Sequence, residues 1–216
     1  QEQEDAIALE KEPFLKLPLS IKRHLLRMAI EKLIGNLKDI ETRHIEQLIG
    51  ALNKPAGRKI SLPEGLNFII EYDRFLLSMN PSALSPFPIL KGEHPVKIPG
   101  ETQLPGWQIQ ADIVAREQIA REDDGFTAFF DRDKTGDRLT VRPRRRGDRF
   151  QPLGMTQLKK VGEFMIDARI PQTWRDRIPI VCSPTQVVWI AGWRIDDRVK
   201  VSEATQEVLR LRMLRS

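Results

Sequence analysis

The spacing of apolar residues changes near residue 55, and this change is the sequence feature that most constrains the fold. In residues 20–52 the apolar residues recur at intervals of three and four, which is the period of an amphipathic helix. After Pro55 and Gly57 the apolar segments become short and are separated by turn residues, which is typical of strands. The sequence therefore predicts an α+β fold: an N-terminal helical hairpin with short strands, then an antiparallel-sheet C-terminal domain with one or two packed helices.

Two helices are predicted in the N-terminal part. Ser20 can cap a first helix that runs to about Ile34 and stops at Gly35, and Asp39 can cap a second. The expected buried stripe of the first helix consists of Ile21, Leu25, Met28, Ala29 and Leu33. The expected stripe of the second consists of Ile45, Leu48, Ile49 and Leu52. Joined by a short link, the two helices form a helical hairpin.

Strands are predicted in the middle of the chain, starting with KISL, LNFIIEY and FLLS around a Pro-Glu-Gly turn. Six prolines fall within residues 80–106, so we expect a linker there with at most one short strand. The segment WQIQADIVA alternates between apolar and polar residues. With FTAFF and RLTVR it is expected to complete an antiparallel group.

The last third mixes helix and strand. Thr156 can cap a helix over residues 157–168, with Leu158, Val161 and Met165 on one stripe, and a short helical turn is expected at residues 174–177. IPIVC and VVWIAG predict a hairpin, and VLRLRM predicts a final strand.

Charge is divided unevenly along the chain. Residues 1–140 carry 19 basic and 22 acidic residues, a net charge of −3, whereas residues 141–216 carry 16 and 8, a net charge of +8. A basic C-terminal third suggests an anionic partner, with nucleic acid as the leading candidate and a basic domain without such a partner as the alternative. The single cysteine, Cys182, favours a reducing, cytoplasmic environment. No apolar run predicts a membrane span, and the acidic N-terminus QEQEDAIALEKEP lacks the pattern of a signal peptide.

A cluster of basic residues follows the strand RLTVR. It comprises Arg142, Arg144, Arg145, Arg146 and Arg149, and then Lys159 and Lys160. Strand alternation would direct Arg142 and Arg144 to one side and Arg145 to the other. The two lysines are expected in the first turn of the predicted helix, where cations oppose the helix dipole and a phosphate would relieve the conflict. The alternative is that these side chains point into water, with Asp148 bracing one of the arginines.

Other chemistry finds little support in the residues. The three histidines and one cysteine do not have the spacing of metal ligands, and Cys182 lies in an apolar strand where a core role is expected. The Asp123-Asp124 pair and the group Asp131, Asp133 and Asp137 are more typical of turns than of acid–base or Mg²⁺ sites. No Gly-rich nucleotide loop occurs. Trp174 and Trp193 are base-stacking candidates or core residues, and RIDDRVK suggests an internal ion-pair network or a binding edge.

The chain resembles a known family in six ordered segments. VRPRRRGDRFQPLGM, LKK, FMIDARIP, RDRIPIV, WIAGWRIDDRVKV and EATQEVLRLR resemble the C-terminal domain of the tRNA(Ile)-lysidine synthetase family. LPLSIKRHLLRMAIEKL, DIETRHIEQLIGAL and ISLPEGLNFIIEYDRFLL resemble its central substrate-recognition domain. The resemblance implies a division into a central domain (1–90), a Pro-rich linker with antiparallel strands (91–138) and a C-terminal tRNA-binding domain (139–216).

The resemblance also implies a function. The family is an ATP-dependent ligase that attaches lysine to the wobble cytidine of a minor isoleucine tRNA. Its Ser-Gly-Gly-x-Asp-Ser nucleotide loop lies in an N-terminal catalytic domain and has no counterpart here. The chain is therefore expected to be a fragment that binds tRNA without catalysing, so ATP and Mg²⁺ would act only in the full-length enzyme. The expected partners are the tRNA and the protein's own catalytic domain. By the resemblance, the expected tRNA-binding residues are Arg142, Arg144, Arg145, Arg146, Arg149, Lys159 and Lys160.

Two alternatives stay open at this point. In one, the chain is a docking or dimerisation module, and its basic loop pairs with acidic protein surface, including that of a homodimer partner. In the other, it is a complete enzyme that binds ATP–Mg²⁺ near residues 123–137.

Overall fold

The computed structural model describes residues 2–3, 6–81, 85–119 and 125–215. The chain forms two compact units. The first comprises Gln1–Ser85 with Pro171–Trp174, and the second comprises Pro86–Ile170 with Arg175–Ser216. Helices and antiparallel sheets are both present, so the predicted α+β class is confirmed. The division at residues 90 and 138 stays a prediction. No helix within the described ranges has both the length and the apolarity needed to cross a membrane.

The first unit is an antiparallel sheet with helices on one face. Its strands are β1 (Glu2–Gln3), β2 (Ala6–Glu10), β3 (Lys59–Ser61), β4 (Asn67–Ile70) and β5 (Arg74–Ser78), in the spatial order β1-β2-β5-β4-β3. Its helices are α1 (Lys11–Lys16), α2 (Leu19–Ile34) and α3 (Thr42–Ala51). The predicted helical hairpin and the three predicted strands at residues 59–78 are confirmed.

The N-terminal strand β2 is an integral part of this sheet. β2 pairs with β5 along its whole length, from Ala6 opposite Ser78 to Glu10 opposite Arg74. Alternation directs Ile7 into the core that the helices cover, and Ala6 into a smaller cluster with Ile69 and Leu76.

Two details of the helix prediction were wrong. α3 is capped by Glu41 rather than Asp39, and the Glu41 N–H donates to His44 Nδ1 at 3.1 Å. α2 begins after Pro18 and buries Leu26, Ala29 and Ile30, whereas Ile21 and Met28 are exposed. The sequence of α2 carries apolar residues on more than one stripe, so the period predicts a helix without fixing which stripe is buried. Packing against the sheet determines which stripe is buried.

The second unit contains two larger sheets. The first has the order β7-β8-β16-β9, formed by Gly100–Leu104, Trp107–Val114, Val208–Arg215 and Thr127–Asp131. The second has the order β15-β14-β13-β10-β6, formed by Arg194–Ile195, Val187–Ile190, Ile180–Cys182, Leu139–Arg142 and His94–Val96. A short pair, β11 (Arg149–Phe150) and β12 (Lys159–Lys160), stands apart from both. The helices of this unit are α4 (Arg132–Thr135) and α5 (Val161–Asp167). A further short helix, α6 (Gln172–Arg175), lies mostly in the segment Pro171–Trp174 of the first unit.

The two larger sheets share one core. β8 and β16 pair over eight residues, and both direct alternate apolar side chains inward. Phe130 of β9 meets Trp189 of β14 edge to face, with ring centroids 6.0 Å apart, which joins the sheets through their aromatic residues. The predicted hairpin of β13 and β14 and the final strand β16 are confirmed.

Three predictions for this unit were wrong. Residues 80–106 hold two strands, β6 and β7, rather than at most one. RLTVR was expected to join the same antiparallel group as WQIQADIVA and FTAFF. It contributes β10 to one sheet, whereas those segments form β8 and β9 of the other sheet. The helix predicted from residue 157 begins only at Val161, because the preceding residues pair as β12 and Lys160 occupies the N-cap position.

Replacing Ile7 with alanine tests the structural role of β2. Ile7 is 7% exposed and belongs to the core of the first unit. We expect I7A to lower the free energy of unfolding by about 3 kcal/mol, since it removes buried methylene groups and leaves a cavity. Urea denaturation followed by circular dichroism measures this. The exposed Glu12→Ala nearby should change it by less than about 0.5 kcal/mol. Equal stabilities of I7A and wild type would contradict a packed N-terminal strand.

Candidate nucleic-acid interface

A buried ion pair closes the basic loop that follows β10. Arg142 is the last residue of β10, and its guanidinium donates two hydrogen bonds of 2.8 Å to the carboxylate of Asp148. The two side chains are 9% and 10% exposed. The same carboxylate accepts the N–H of Arg145 at 2.6 Å. Asp148 thus fixes both ends of the loop, which holds residues 143–147.

The charged form of Asp148 is favoured inside this loop. Burial raises the pKa of Asp148, but the hydrogen bonds from Arg142 and from the Arg145 N–H outweigh burial, so the net pKa lies below the ordinary value of 3.8. The pair is bidentate, and both oxygens of the carboxylate are used. The loop therefore keeps its shape as long as Asp148 is ionised.

The middle of the loop projects outward from this pair. Gly147 has φ of +94°, a left-handed conformation that allows the turn back to Asp148. The carbonyl of Asp148 accepts the N–H of Val161 at 2.9 Å, which links the loop to the start of α5. Arg145 and Arg146 are exposed at the outermost part of the loop. The backbone of the loop is thus fixed at both ends, and its outer edge carries exposed cationic side chains.

The seven candidate residues fall into three groups. Arg142 is buried and braces the loop, so it is absent from the exposed surface. A second group is exposed or half-buried and pairs with carboxylates: Arg144 with Asp176 at 2.7 Å, Arg145 with Glu93 at 2.6 Å, Lys160 with Glu163 at 3.1 Å, and Lys159 with Asp167. Arg146 and Arg149 are exposed, and no ion pair within the described part of the chain involves them. These two carry the least compensated positive charge.

Four of the seven candidates converge beside one groove. Arg144, Arg145, Arg146 and Lys160 line it. Arg175, which sequence reasoning missed, lines the same groove, and its Nε donates to the carbonyl of Ile170 at 2.9 Å. The segment RDRIPIV contained Arg175, but only the fold brings it beside Arg144. The predicted alternation of Arg142 and Arg144 does not apply, because β10 ends at Arg142.

The prediction that Lys159 and Lys160 lie in the first turn of a helix was wrong. Lys159 and Lys160 pair with Phe150 and Arg149 as β12 and precede α5, so neither is in the first turn of a helix. Lys160 at the N-cap still adjoins the positive end of the α5 dipole, and its ammonium pairs with Glu163 of the first turn at 3.1 Å. A second source of charge repulsion is also present, since Arg149 stands directly opposite Lys160 in this antiparallel pair.

A second buried carboxylate organises the chain beyond β11. Asp196 is fully buried and accepts hydrogen bonds from Gln151 N–H at 2.8 Å and from the backbone and guanidinium of Arg198 at 2.7 to 2.9 Å. The mixed charges of RIDDRVK thus form the internal ion-pair network that was one of their two interpretations. Sequence reasoning did not anticipate that this network also anchors residues 151–155.

The remaining sequence candidates have structural roles. Cys182 is buried, and burial raises the pKa of its thiol to about 11, which disfavours a reactive thiolate at neutral pH. Asp131 caps α4 and accepts from Thr205 at 2.7 Å, and Asp137 pairs with Arg132. Asp131 and Asp137 are therefore bonded within the chain, as is typical of acidic residues at turns. Asp123 and Asp124 lie outside the described residues.

The two tryptophans considered as stacking platforms differ in their surroundings. Trp193 is half-buried and meets Phe87 edge to face at 5.7 Å, as part of an aromatic cluster with Trp107 and Phe126. This is the core role that sequence reasoning weighed against base stacking. Trp174 is half-buried at the end of the segment Pro171–Trp174, which belongs to the first unit.

Comparison with known proteins identifies this part of the chain. Residues 139–213 match the family model of the TilS substrate C-terminal domain. A tRNA(Ile)-lysidine synthase from Dehalococcoides mccartyi (strain CBDB1) is 41% identical over 210 residues, or 97% of this chain. The chain belongs to the tRNA(Ile)-lysidine synthase family. The six C-terminal segments quoted above lie within or next to the matched range, so the resemblance noted in the sequence is confirmed.

Two further comparisons describe the extent of the match. A tRNA(Ile)-lysidine synthase from Caldanaerobacter subterraneus subsp. tengcongensis is 34% identical over 192 residues, or 88% of this chain. A crystal structure of a TilS C-terminal domain is 27% identical, with a TM-score of 0.48, covering 57% of this chain and 98% of that one. The chain spans 45% and 40% of the length of the two synthases, so it corresponds to less than half of each.

Removal of the buried arginine tests which residues hold the loop. We expect Arg142→Ala to lower the free energy of unfolding by about 3–5 kcal/mol, because the carboxylate of Asp148 loses its partner while it stays buried. Arg146→Ala, on the same loop but exposed, should change it by less than about 0.5 kcal/mol. Urea denaturation of both variants measures the difference. Equal stabilities of the two variants would show that the pair does not brace the loop.

Acid unfolding of wild type and Asp148→Asn tests the charge of Asp148. The pKa of Asp148 is lower in the folded chain than its ordinary value of 3.8, so its contribution is complete above that value and is lost as the pH falls through the folded pKa. We expect D148N to be less stable than wild type at pH 7, and the gap to close as the medium becomes more acidic than the ordinary pKa of an aspartate. A gap that is constant with pH would contradict an ionised Asp148.

Proposed function

We propose that this chain is the tRNA-recognition portion of an ATP-dependent ligase that attaches lysine to the wobble cytidine of a minor isoleucine tRNA. The exposed edge of the loop 143–147 and the neighbouring groove would contact the RNA backbone. One observation carries this proposal: Arg145 and Arg146 project from a fixed loop in a domain that matches the TilS substrate C-terminal domain.

The chemistry of the site suits phosphate rather than bases. Arginine and lysine side chains at its exposed edge can donate to phosphate oxygens. Within the described residues, no exposed aromatic ring lies among those that line the groove. A-form RNA presents its phosphate backbone and a shallow minor groove, and this surface of cations can follow them without base-specific stacking. Binding through such contacts is strongly dependent on salt.

In the free protein, carboxylates neutralise part of the positive charge on this basic surface. Glu93 accepts from Thr140 Oγ1 at 2.8 Å and from Arg145 at 2.6 Å, and these hydrogen bonds, Thr140 first, lower the pKa of Glu93. A phosphate must compete with Glu93 for Arg145, and with Asp176 for Arg144. Only Arg146 and Arg149 are available without such an exchange, among the candidates that the structure describes.

We assign ATP and Mg²⁺, and the lysine transfer itself, to the part of the synthases that this chain does not match. The chain corresponds to less than half of each relative, and its carboxylates Asp131 and Asp137 are bonded to other residues of the chain. The role proposed for this chain is to bind and orient the tRNA, with the protein's catalytic domain as its other partner.

Titration of the chain with minor isoleucine tRNA tests the proposal. We expect binding whose logarithmic affinity falls linearly with the logarithm of salt concentration, and Arg145→Ala/Arg146→Ala to weaken it about tenfold at about 50 mM salt. Glu93→Gln should have the opposite effect, because it releases Arg145. Fluorescence anisotropy measures all three proteins.

The control is Arg58→Ala, which removes an exposed arginine of the first unit and should leave affinity within about twofold of wild type. Absence of tRNA binding at low salt would reject the proposal for this chain. A salt-insensitive dimer, detected by size exclusion with light scattering, would instead support the alternative of protein docking or dimerisation.

A further inference from the structure

A cavity of about 710 Å³ lies beside the loop 143–147 in the second unit. It is distinct from the groove described above, although Arg145 and Asp148 line both. Its volume is within the range of sites that enclose small ligands. The function proposed above assigns no role to this cavity.

The floor of the cavity is a row of residues across three strands. Thr140 of β10 stands opposite Pro95 of β6 and opposite Cys182 of β13, so the three side chains share one face of the sheet. Burial raises the pKa of the Cys182 thiol to about 11, which keeps it uncharged at neutral pH. The floor is therefore neutral, and the charged residues of the lining stand around it.

The acidic residues of the lining are already engaged. Each of the three carboxylates forms an ion pair with an arginine: Asp148 with Arg142, Glu93 with Arg145, and Asp137 with Arg132. A carboxylate with a cation beside it repels an incoming anion less than a free carboxylate does. The cavity can therefore admit an anion although acidic residues line it.

Two further arginines of the lining carry uncompensated charge. Arg138 and Arg149 are exposed, and no ion pair of the described residues involves them. Arg138 immediately precedes β10, and Arg149 follows the loop at the other end of this strand. The rise of a strand places these two ends about 13 Å apart. A ligand that spans the floor therefore meets a cation at each end.

The end at Arg149 carries the higher positive charge. Arg145 lines the cavity there, and Lys160 stands opposite Arg149 in the β11–β12 pair. An anion beside Arg149 would relieve the repulsion between these two side chains. The turn between β13 and β14 adds the hydroxyl groups of Ser183 and Thr185 to the lining. The cavity thus combines a cationic end, a neutral floor and polar groups beside it.

We propose that this cavity binds a small phosphate monoester with a polar body, of the size of a nucleoside monophosphate. Arg149 holds the phosphate, the uncharged body lies over Thr140 and Cys182, and Arg138 donates to acceptors at the far end. The site itself is independent of the proposed function. Its link to RNA binding, described below, rests on that function.

The choice of a phosphate monoester follows from charge. A monoester carries nearly two negative charges at neutral pH, and arginine donates paired hydrogen bonds to phosphate oxygens. An internal phosphodiester of RNA carries one charge and gains less from the two unpaired arginines. A cationic metabolite is disfavoured by the same arginines. Free nucleotides and the 5′ end of an RNA both carry a monoester, so the test must separate these two sources.

Occupancy of the cavity should be linked to RNA binding through Arg145. Arg145 lines both the cavity and the groove, and Glu93 holds it at 2.6 Å. A phosphate in the cavity adds negative charge beside the groove and competes for a donor that RNA would use. Each ligand should therefore lower the affinity for the other by the same factor, about fivefold.

Calorimetric titration of this chain with AMP tests the site. We expect AMP to bind wild type, and Arg138→Gln and Arg149→Gln each to weaken binding about tenfold, because each removes a charge-assisted hydrogen bond. Ribose 5-phosphate should also bind. Adenosine and inorganic phosphate should bind more weakly than AMP, since each makes only part of the contacts.

Arg146→Gln is the matched control. Arg146 is exposed on the same loop and, among the described residues, lines the groove but not the cavity. It should keep its affinity for AMP within about twofold of wild type and lose affinity for tRNA, whereas Arg138→Gln should do the reverse. The melting temperatures of all three variants should match that of wild type, because the substituted side chains are exposed.

Competition with tRNA distinguishes the two sources of the monoester. If only tRNA with a 5′-phosphate displaces AMP, and tRNA with a 5′-hydroxyl does not, the RNA end occupies the cavity. If both displace AMP to the same extent, a free monoester is the ligand and the link through Arg145 explains the competition.

Failure of the cavity site and failure of the proposed function give different results. If neither AMP nor ribose 5-phosphate binds, or if Arg138→Gln and Arg149→Gln bind AMP as tightly as wild type, the site is rejected, while tRNA binding by wild type would leave the proposed function standing. If AMP binds as expected but tRNA does not, the proposed function fails and the site stands. If saturating AMP leaves tRNA affinity unchanged, the link through Arg145 is rejected.

Discussion

The ion pair between Arg142 and Asp148 is the interaction on which the basic surface depends. It joins the end of β10 to the start of the β11–β12 hairpin, and it is nearly closed to solvent. A buried charge is tolerable only when its partner and its hydrogen bonds are complete, and both oxygens of Asp148 are used. Arg142 therefore has a structural role, and the loop that it closes directs the neighbouring arginines outward.

The exposed charges around this pair are mostly matched by carboxylates from elsewhere in the unit. Glu93 reaches Arg145 from residues far earlier in the chain, and Asp176 reaches Arg144 from the segment after α5. Exposed pairs of this kind contribute little to stability and exchange easily for a phosphate. Such a surface can be held in one arrangement before it binds and can still deliver positive charge to RNA. The uncompensated Arg146 and Arg149 supply the attraction at longer range.

Much of the fold followed from local pattern. The helical period of residues 20–52, the alternation of WQIQADIV and the apolar pairs IPIVC and VVWIAG predicted α2, α3, β8, β13 and β14 correctly. The strands β6 and β7 were missed because proline was given more weight than alternation. The Pro105-Gly106 turn, with Gly106 at φ of +72°, was the signal that could have revealed the hairpin of β7 and β8. The late start of α5 was missed because β12 is formed by pairing with β11 rather than by its own propensity.

The sequence by itself determined the class of fold, the family and the place in the chain where positive charge concentrates. Each of these depends on amino-acid composition, on the order of short segments and on short-range spacing, which the chain has before it folds. Only the tertiary structure decided that Arg142 is internal, that Arg149 opposes Lys160, and that Arg175 joins the groove. These facts depend on pairings between segments distant in the chain. The free energy of a charge is set by whichever carboxylate, strand or solvent surrounds it after those segments have packed.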